Sequence, residues 1–421
     1  MQAHPAPRAG GRGRGRGRGR RPSATSMHSN GGNTRPEYRP ILGDLLSAPL
    51  QTIAVPVLDG PAKVTIQNVR VLGSPPPWKE RELPYSVEPD TGVVFVDENA
   101  FRAPNGYARE EGEFDWAGEQ VDFITTRNGL RRLLRWIDEA SVPYAARKGI
   151  KEFRIDTQLA GRTILLNRWE RYDQERMGGW SYGLNFEKAA TEPALGMTDN
   201  TGHQRILCYN LNGLKIVVRY EVDAYLPAAS GLDPDPLLAG LTERLAKLDL
   251  IGGEAVTETL SDELRFSSSM TSTRASASPE PFTTYHGLRI VEAGTPVPQS
   301  SLLDISTRSI RRTQELTWSE FYPQHFLSRT ENHYIGMHED GHFTEVLKRP
   351  PVDWDAHKGD SQMQTGLGKL VMALKTIRDL VREHGQRGRL SLVFRNGALA
   401  VYERAARQSC LPDEVLERFE E

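Results

Sequence analysis

Residues 219–225 read "RYEVDAY", and the placement of this stretch decides how the rest of the chain is read. It closes a longer run, "LKIVVRYEVDAYL" (214–226), whose β-branched and aromatic residues suit a pleated, half-buried strand. On a strand, residues two apart project to one face, so Glu221 and Asp223 point the same way while Val222 points to the other. A second apolar run carries an acid in the same manner. In "SSLLDISTRS" (300–309) Asp304 and Ser306 share a face, with Leu303 and Ile305 opposite. Two strands presenting acids side by side supply the several oxygens that a hard cation such as Mg²⁺ or Mn²⁺ requires. Carboxylates grouped so closely repel unless a metal neutralises them. The competing reading is two solvated strand edges, because acids at this spacing are common on exposed strands.

Outward from these strands the pattern is mixed. "GLRRLLRWIDEA" (129–140) places Leu130, Leu133, Leu134 and Ile137 at helical spacing, and "RTILLNRWERY" (162–172) reads as a strand. "DPLLAGLTERLAKLDL" (235–250) has an amphipathic helical pattern and "RFSSSMTSTRASASPEPF" (265–282) reads as a serine-rich loop, so 227–285 is expected to be an insertion. A strand over 301–306 and a helix around 314–329 follow. "YIGMHEDGHFTEV" (334–346) is expected to be a hairpin turning at Asp340-Gly341, and a second hairpin turns at Asn396-Gly397. Between the two lie a polar linker (350–365) and a helix, "LGKLVMALKTIRDLVREHG" (367–385), with Leu370, Val371, Leu374, Ile377 and Val381 on one face. Helices and strands alternate without regular βαβ units. The expectation is a mixed α/β (α+β) fold: one large domain over 37–421 with a mixed central sheet flanked by helices.

"HEDGH" (338–342) matches the H-E-x-x-H zinc pattern letter for letter. That pattern works on a helix, where residues four apart share a face. Here Asp-Gly sits between alternating apolar segments, which is the sequence of a tight turn, so His338 and His342 are read as turn-flanking residues.

The net charge of −2 hides a split, since residues 1–40 carry nine arginines and a single acid, Glu37. Within them "GRGRGRGRGRR" (11–21) offers glycines that cannot pack and arginines, among them Arg12, Arg14, Arg16 and Arg18, that are free to track phosphates. Residues 1–36 are expected to be a disordered tail that contacts RNA through charge and stacking; the bland alternative is a solubilising or nuclear-targeting tail. Its trivial G-x-G-x-x-G match lacks the strand and helix that a dinucleotide site needs. Two cysteines, Cys208 and Cys410, are too few for a disulfide framework and suggest a reducing compartment. No apolar run approaches the roughly 20 residues that span a bilayer, and the basic N-terminus lacks the apolar segment of a secretory signal. No membrane partner is expected, and the location expected is nuclear or cytoplasmic.

In the order of its short motifs the chain resembles the DXO family of RNA 5′-end decapping nucleases, whose core is of the PD-(D/E)XK type. "TTRNGLRRLLRW" resembles the family's arginine-bearing helix start and points to Arg127. "GLNFE" (183–187) fits G-φ-x-φ-E and supplies Glu187, "EVD" (221–223) fits E-φ-D, "DIS" (304–306) stands where E-φ-K is expected, and "YPQHFLS" (322–328) offers Gln324. "GRTILLN" (161–167) and the "HFTEV" segment also resemble the family in order, so the likeness is clearest over about 120–345. The resemblance implies metal-dependent hydrolysis of RNA 5′ triphosphates or non-standard caps, with 5′-to-3′ exonucleolysis in many members. Glu187, Glu221, Asp223 and Asp304 would hold Mg²⁺ or Mn²⁺, Arg127 would grip the terminal phosphate, and Gln324 would orient a nucleotide or the water. Pro323 is expected to break the helix that carries Gln324.

Two departures fall on one strand. Asp304 replaces a glutamate, shortening the reach by a methylene, and Ser306 replaces the lysine that would position or activate the water. Loss of such a group typically costs on the order of 10²–10⁴ in rate. Lys188 would face away if Glu187 lay on a strand, and Arg308 shares a face with Ser306 but lies about 7 Å further along. Two functions therefore follow: a metal-dependent RNA 5′-end hydrolase with a substituted lysine, or a catalytically silent protein that binds RNA 5′ ends or scaffolds a partner 5′-to-3′ exoribonuclease.

Overall fold

Leu130, Leu133, Leu134 and Ile137 do form one face of a helix, α1 (Arg127–Ile137), and all four are buried. This computed structural model describes residues 38–60, 63–72, 75–95, 119–138, 152–172, 174–192, 203–227, 282–285, 288–291, 297–311, 318–349, 351, 361–406 and 408–420. The side-chain oxygen of Thr126 accepts from the Gly129 N–H at 3.1 Å, so α1 begins at Arg127, ahead of the predicted 129. The other α-helices are α2 (Gly183–Ala190), α3 (Trp318–Ser328), α4 (Ser361–His384) and the short α5 (Asp413–Leu416). α4 buries the predicted stripe of Leu370, Val371, Leu374, Ile377 and Val381.

The strands gather into two main sheets. The larger has nine, in spatial order β1 (Gln51–Ile53), β18 (Ala398–Glu403), β17 (Arg389–Arg395), β6 (Glu152–Ala160), β7 (Thr163–Trp169), β5 (Phe123–Thr126), β10 (Leu214–Glu221), β9 (Gln204–Leu211) and β2 (Ile66–Leu72). It is antiparallel except where β5 runs parallel to both β7 and β10. The smaller has five: β11 (Ala224–Tyr225), β14 (Leu302–Ser309), β15 (Asn332–Glu339), β16 (His342–Arg349) and β3 (Tyr85–Ser86). Two ribbons, β4 (Thr91–Phe95) with β8 (Gln174–Gly178) and β12 (Phe282–Tyr285) with β13 (Leu288–Val291), complete the set among the described residues. The expected fold class therefore holds.

The run "LKIVVRYEVDAYL" is the hinge of this arrangement. It forms β10 of the large sheet as far as Glu221, breaks at Val222 and Asp223, and resumes as β11 of the small sheet. One core, including Phe123, Leu130, Ile216, Val218, Leu374 and Leu392, contains residues of the large sheet together with α1 and α4. A second, of Trp78, Phe186, Leu303 and Phe343, joins α2 to the small sheet. Fully burying each such large apolar side chain contributes about 1.5–3 kcal/mol. Gly336 on β15 permits this second packing, because a Cβ there would lie 2.6 Å from the Phe186 ring and 2.8 Å from the Phe343 ring.

Both predicted hairpins form. Asp340 and Gly341, with φ of 49° and 85°, join β15 to β16, and Asn396 and Gly397, with φ of 51° and 80°, join β17 to β18. "HEDGH" is thus a turn, with Glu339 paired to His342 across it, and the helical zinc geometry does not arise. The helix around Gln324 is not broken by Pro323, which lies inside α3. In the second turn a proline forfeits one ladder bond, while Tyr322, Phe326 and Leu327 anchor that helix in the large core. The tail with Arg12, Arg14, Arg16 and Arg18, nearly all of the expected insertion over 227–285 and most of the linker over 350–365 lie outside the described residues; the end of that linker, 361–365, is instead the start of α4. Cys208 and Cys410 are free and buried. No described helix is long and apolar enough to cross a membrane.

Candidate metal and phosphate site

The predicted acids converge where the two sheets meet. Glu221 ends β10, Asp223 lies in the crossing between sheets, and Asp304 lies on β14, whose Leu303 pairs with Ala224. Asp223 Oδ2 accepts the Ile305 backbone N–H at 2.7 Å, which ties the crossing to β14 beside Asp304. Glu187 comes from α2, which packs against β14. It stands on a helix and not on a strand, and Lys188 is exposed. That helix is set by a distant residue: buried Asp90 accepts the N–H groups of Leu184 at 3.3 Å and Asn185 at 2.9 Å, capping the N-terminus where Tyr182 makes no side-chain cap.

Each acid feels the others. Burial, then the charges of Glu221 and Asp304, push the Glu187 carboxyl up to about 7. Burial, with the charges of Asp304 and Glu187, likewise holds Asp223 well above the usual carboxylate range, against the pull of the Ile305 N–H. Asp304 behaves oppositely. Burial pushes it up, but the hydrogen bond and charge of His325, with the charge of Arg127, outweigh burial and hold it below the usual range.

Three side chains converge on Asp304. Its Oδ1 accepts from Gln324 Nε2 at 2.8 Å and lies 3.9 Å from an Arg127 guanidinium nitrogen; its Oδ2 lies 3.2 Å from His325 Nε2. Arg127 arrives because β5 runs parallel to β10, pairing Thr126 with Arg219 and setting the start of α1 beside Tyr220. Its guanidinium sits over the Tyr220 ring at 5.3 Å and 3.4 Å from Ser328 Oγ. Arg131 and Arg135 follow at i+4 and i+8, so a basic stripe leads away from the acids along α1.

Ser306 does not stand in an empty lysine position. Its Oγ is 2.8 Å from Nε2 of His333, a buried residue of β15 that pairs in register with Asp304. Burial pushes His333 down to about 3 despite the nearby Asp304 charge, so the ring is neutral and supplies no lysine-like charge. Arg308, the other cation considered, stacks over Phe321 at 5.4 Å. Sequence reasoning missed His325 and His333. His325 adjoins Gln324 and was within reach of the motif, whereas His333 becomes visible only once the β14–β15 register is known.

Fold and site together define a class: a mixed α/β protein whose two sheets meet at a carboxylate cluster faced by an arginine. By sequence the chain belongs to the family described as "Domain of unknown function (DUF8563)", which matches residues 62–419. No curated protein matches it in sequence. Among solved structures it is similar to S. pombe Rai1 in complex with 3′-FADP, at 13% identity and a TM-score of 0.43, covering 83% of this chain and 96% of that one. Candida albicans Rai1 in complex with pU5-Mn²⁺ is 11% identical, with a TM-score of 0.43, over 71% of this chain and 75% of that one. K. lactis Dxo1 in complex with manganese is 8% identical, with a TM-score of 0.37, over 69% of this chain and 67% of that one.

Proposed function

We propose that the chain is a metal-dependent hydrolase of RNA 5′ ends, acting on a 5′ triphosphate or a non-standard cap. Convergence of Glu187, Glu221, Asp223 and Asp304 beside Arg127 at the sheet joint carries this reading. The donor set fits a hard divalent cation. It offers carboxylate oxygens from three separate elements, and two of the four carboxyls are pushed towards protonation by burial and by the charge of the others, a conflict that Mg²⁺ or Mn²⁺ relieves. Once bound, such an ion would polarise the phosphoryl group and lower the pKa of an attacking water. The chain's own residues do the rest. Arg127 presents a planar fork to the terminal phosphate, the stripe of Arg131 and Arg135 offers charge to the following backbone, and Gln324 holds one Asp304 oxygen in place. The arginine-glycine tail would add sequence-tolerant affinity for RNA.

Incubation of the full chain with RNAs bearing a 5′ triphosphate, a monophosphate or a dinucleotide cap, with and without Mn²⁺, tests this. Metal-dependent release of the 5′ group, lost in Glu221→Gln, is expected; wild-type inertness on every substrate with metal present refutes it. A second reading, a silent RNA 5′-end binder or a scaffold for an exoribonuclease, is favoured by one observation: Ser306 is engaged by a neutral His333, with no lysine at its position. An inert wild type that binds 5′-triphosphate RNA and gains hydrolysis in Ser306→Lys supports that alternative. Either function is compatible with a nuclear or cytoplasmic location.

A further inference from the structure

Hydrolysis at the carboxylate cluster makes no use of two fully buried histidines on its far side. His325 of α3 is 0% exposed and His333 of β15 is 1% exposed; their rings meet edge to face with centroids 4.9 Å apart. Together with Asp304 they form a compact donor set, in which one ligand atom from each of the three residues lies within 4.8 Å of the other two. His325 Nε2 and Asp304 Oδ2 are 3.2 Å apart. That separation is what two neighbouring donors show around an ion with bonds of about 2.0–2.2 Å.

The second observation concerns His333 alone. Its Nε2 is engaged by Ser306 Oγ at 2.8 Å, while its Nδ1 is buried and makes no hydrogen bond among the described residues. A buried imidazole nitrogen without a partner is uncommon, because burial without a hydrogen bond forfeits the water it leaves. Metal-binding histidines show a related arrangement, with one ring nitrogen on the ion and the other held by an outer hydrogen-bonding group. Ser306 on His333, and Gln324 on Asp304 Oδ1 at 2.8 Å, are placed as such outer groups.

We propose that Asp304, His325 and His333 form a binding site for a borderline transition-metal ion such as Zn²⁺ or Co²⁺, distinct in its ligands from the cluster of Glu187, Glu221 and Asp223. Imidazole nitrogens suit Zn²⁺ and its neighbours, whereas Mg²⁺ prefers oxygen and water. Three protein ligands leave an ion with a position open to solvent or substrate. Ser306 thereby has a positioning role: its hydroxyl fixes the tautomer and tilt of His333. The proposal goes beyond the hydrolase reading and shares only Asp304 with it.

The test titrates the chelator-stripped full chain with Co²⁺ and follows its visible absorption, with Zn²⁺ as competitor and Mg²⁺ as control. One Co²⁺ per chain is expected, displaced by Zn²⁺ and not by Mg²⁺. His333→Asn and His325→Asn should abolish the spectrum while circular dichroism confirms folding, and Ser306→Ala should weaken binding by about 10–100-fold. Glu187→Gln and Glu221→Gln should leave the cobalt spectrum unchanged even though they remove Mn²⁺-dependent hydrolysis, so failure of either proposal is read separately. Should the histidine variants misfold, pulsed EPR of the Cu²⁺-loaded wild type takes their place and must show coupling to two imidazoles. Absence of Co²⁺ binding by the wild type, an unchanged spectrum in folded His333→Asn, or copper without imidazole coupling overturns the site.

Discussion

Asp223 accepts the backbone N–H of Ile305 at 2.7 Å, and that bond adds to the Ala224–Leu303 pairing in tying the crossing between the two sheets to the strand that carries Asp304. The same carboxyl is held well above the usual range by burial and by the charges of Asp304 and Glu187, so it serves structure and binding at conflicting cost. Asparagine keeps the acceptor oxygen and removes the charge. Metal-free Asp223→Asn should therefore unfold at a higher temperature than wild type at pH 8, by roughly 1–2 °C for about 1 kcal/mol in a domain of this size, while losing most of the stabilisation that Mn²⁺ gives the wild type. Differential scanning calorimetry with and without metal checks both halves, and a lower midpoint in the metal-free variant contradicts the repulsion argument.

Protonation of Glu187 should make metal affinity depend on pH. Its carboxyl, pushed up to about 7, is largely protonated at pH 6 and must lose that proton to bind a cation. Below pH 7 the apparent Kd for Mn²⁺ should rise about tenfold per pH unit for each proton displaced, and level off above pH 8. In the metal-free chain the sign for this group is reversed. The folded state binds the proton more tightly than the unfolded one, so the Glu187 contribution to stability falls as pH rises from 4.5 to about 7. His333, pushed down to about 3, works against it below 6.5, so the metal-induced shift is the cleaner quantity to measure. Calorimetric titration in buffers of different ionisation enthalpy should report proton release near pH 6.5 that is reduced in Glu187→Gln, the remainder coming from Asp223.

Gly336 should control the site from a distance. A methyl group there would meet the Phe186 ring at 2.6 Å, and Phe186 precedes Glu187 on α2. Gly336→Ala should destabilise by about 1–3 kcal/mol through overpacking and should weaken Mn²⁺ binding by displacing α2 from β14. Phe186→Leu in the same chain should restore part of both losses, since it withdraws the ring. Metal affinity unchanged in a destabilised Gly336→Ala would separate the packing of α2 from the placement of Glu187.

How much of this was legible in the sequence depends on how local each cause is. The apolar stripes of α1 and α4 and the turns at Asp340-Gly341 and Asn396-Gly397 are written in neighbouring residues, and they formed as expected. Asn212-Gly213 carries the same turn signature, with φ of 49° and 88°, yet β9 on its other side was not predicted because only the run after the turn was read as a strand. The helix that carries Glu187 was not read from its own residues, because it is capped by Asp90, far earlier in the chain. Glu221 and Asp304 were found because alternation on β10 and β14 is a local property, whereas Glu187 was reached through the family motif. His333 was not found, because it joins Asp304 only through the parallel register of β14 and β15.

Arg127 should act on substrate binding more than on the chemical step. Its guanidinium is held over Tyr220 at 5.3 Å and beside Ser328 Oγ at 3.4 Å, which leaves its fork oriented before any ligand arrives. Lysine preserves the charge but loses the planar, bidentate geometry and the stacking. Arg127→Lys should raise KM for a 5′-triphosphate RNA by about tenfold, a change of about 1.4 kcal/mol, with kcat changed far less, because the lost contact is made in the ground state and the transition state alike. Arg127→Ala should go further and raise KM by more than Arg127→Lys does, because the charge is lost with the fork. Steady-state kinetics on triphosphate and monophosphate RNA separate these effects. A fall in kcat with KM unchanged would move Arg127 from gripping the phosphate to stabilising the charge that develops during its release.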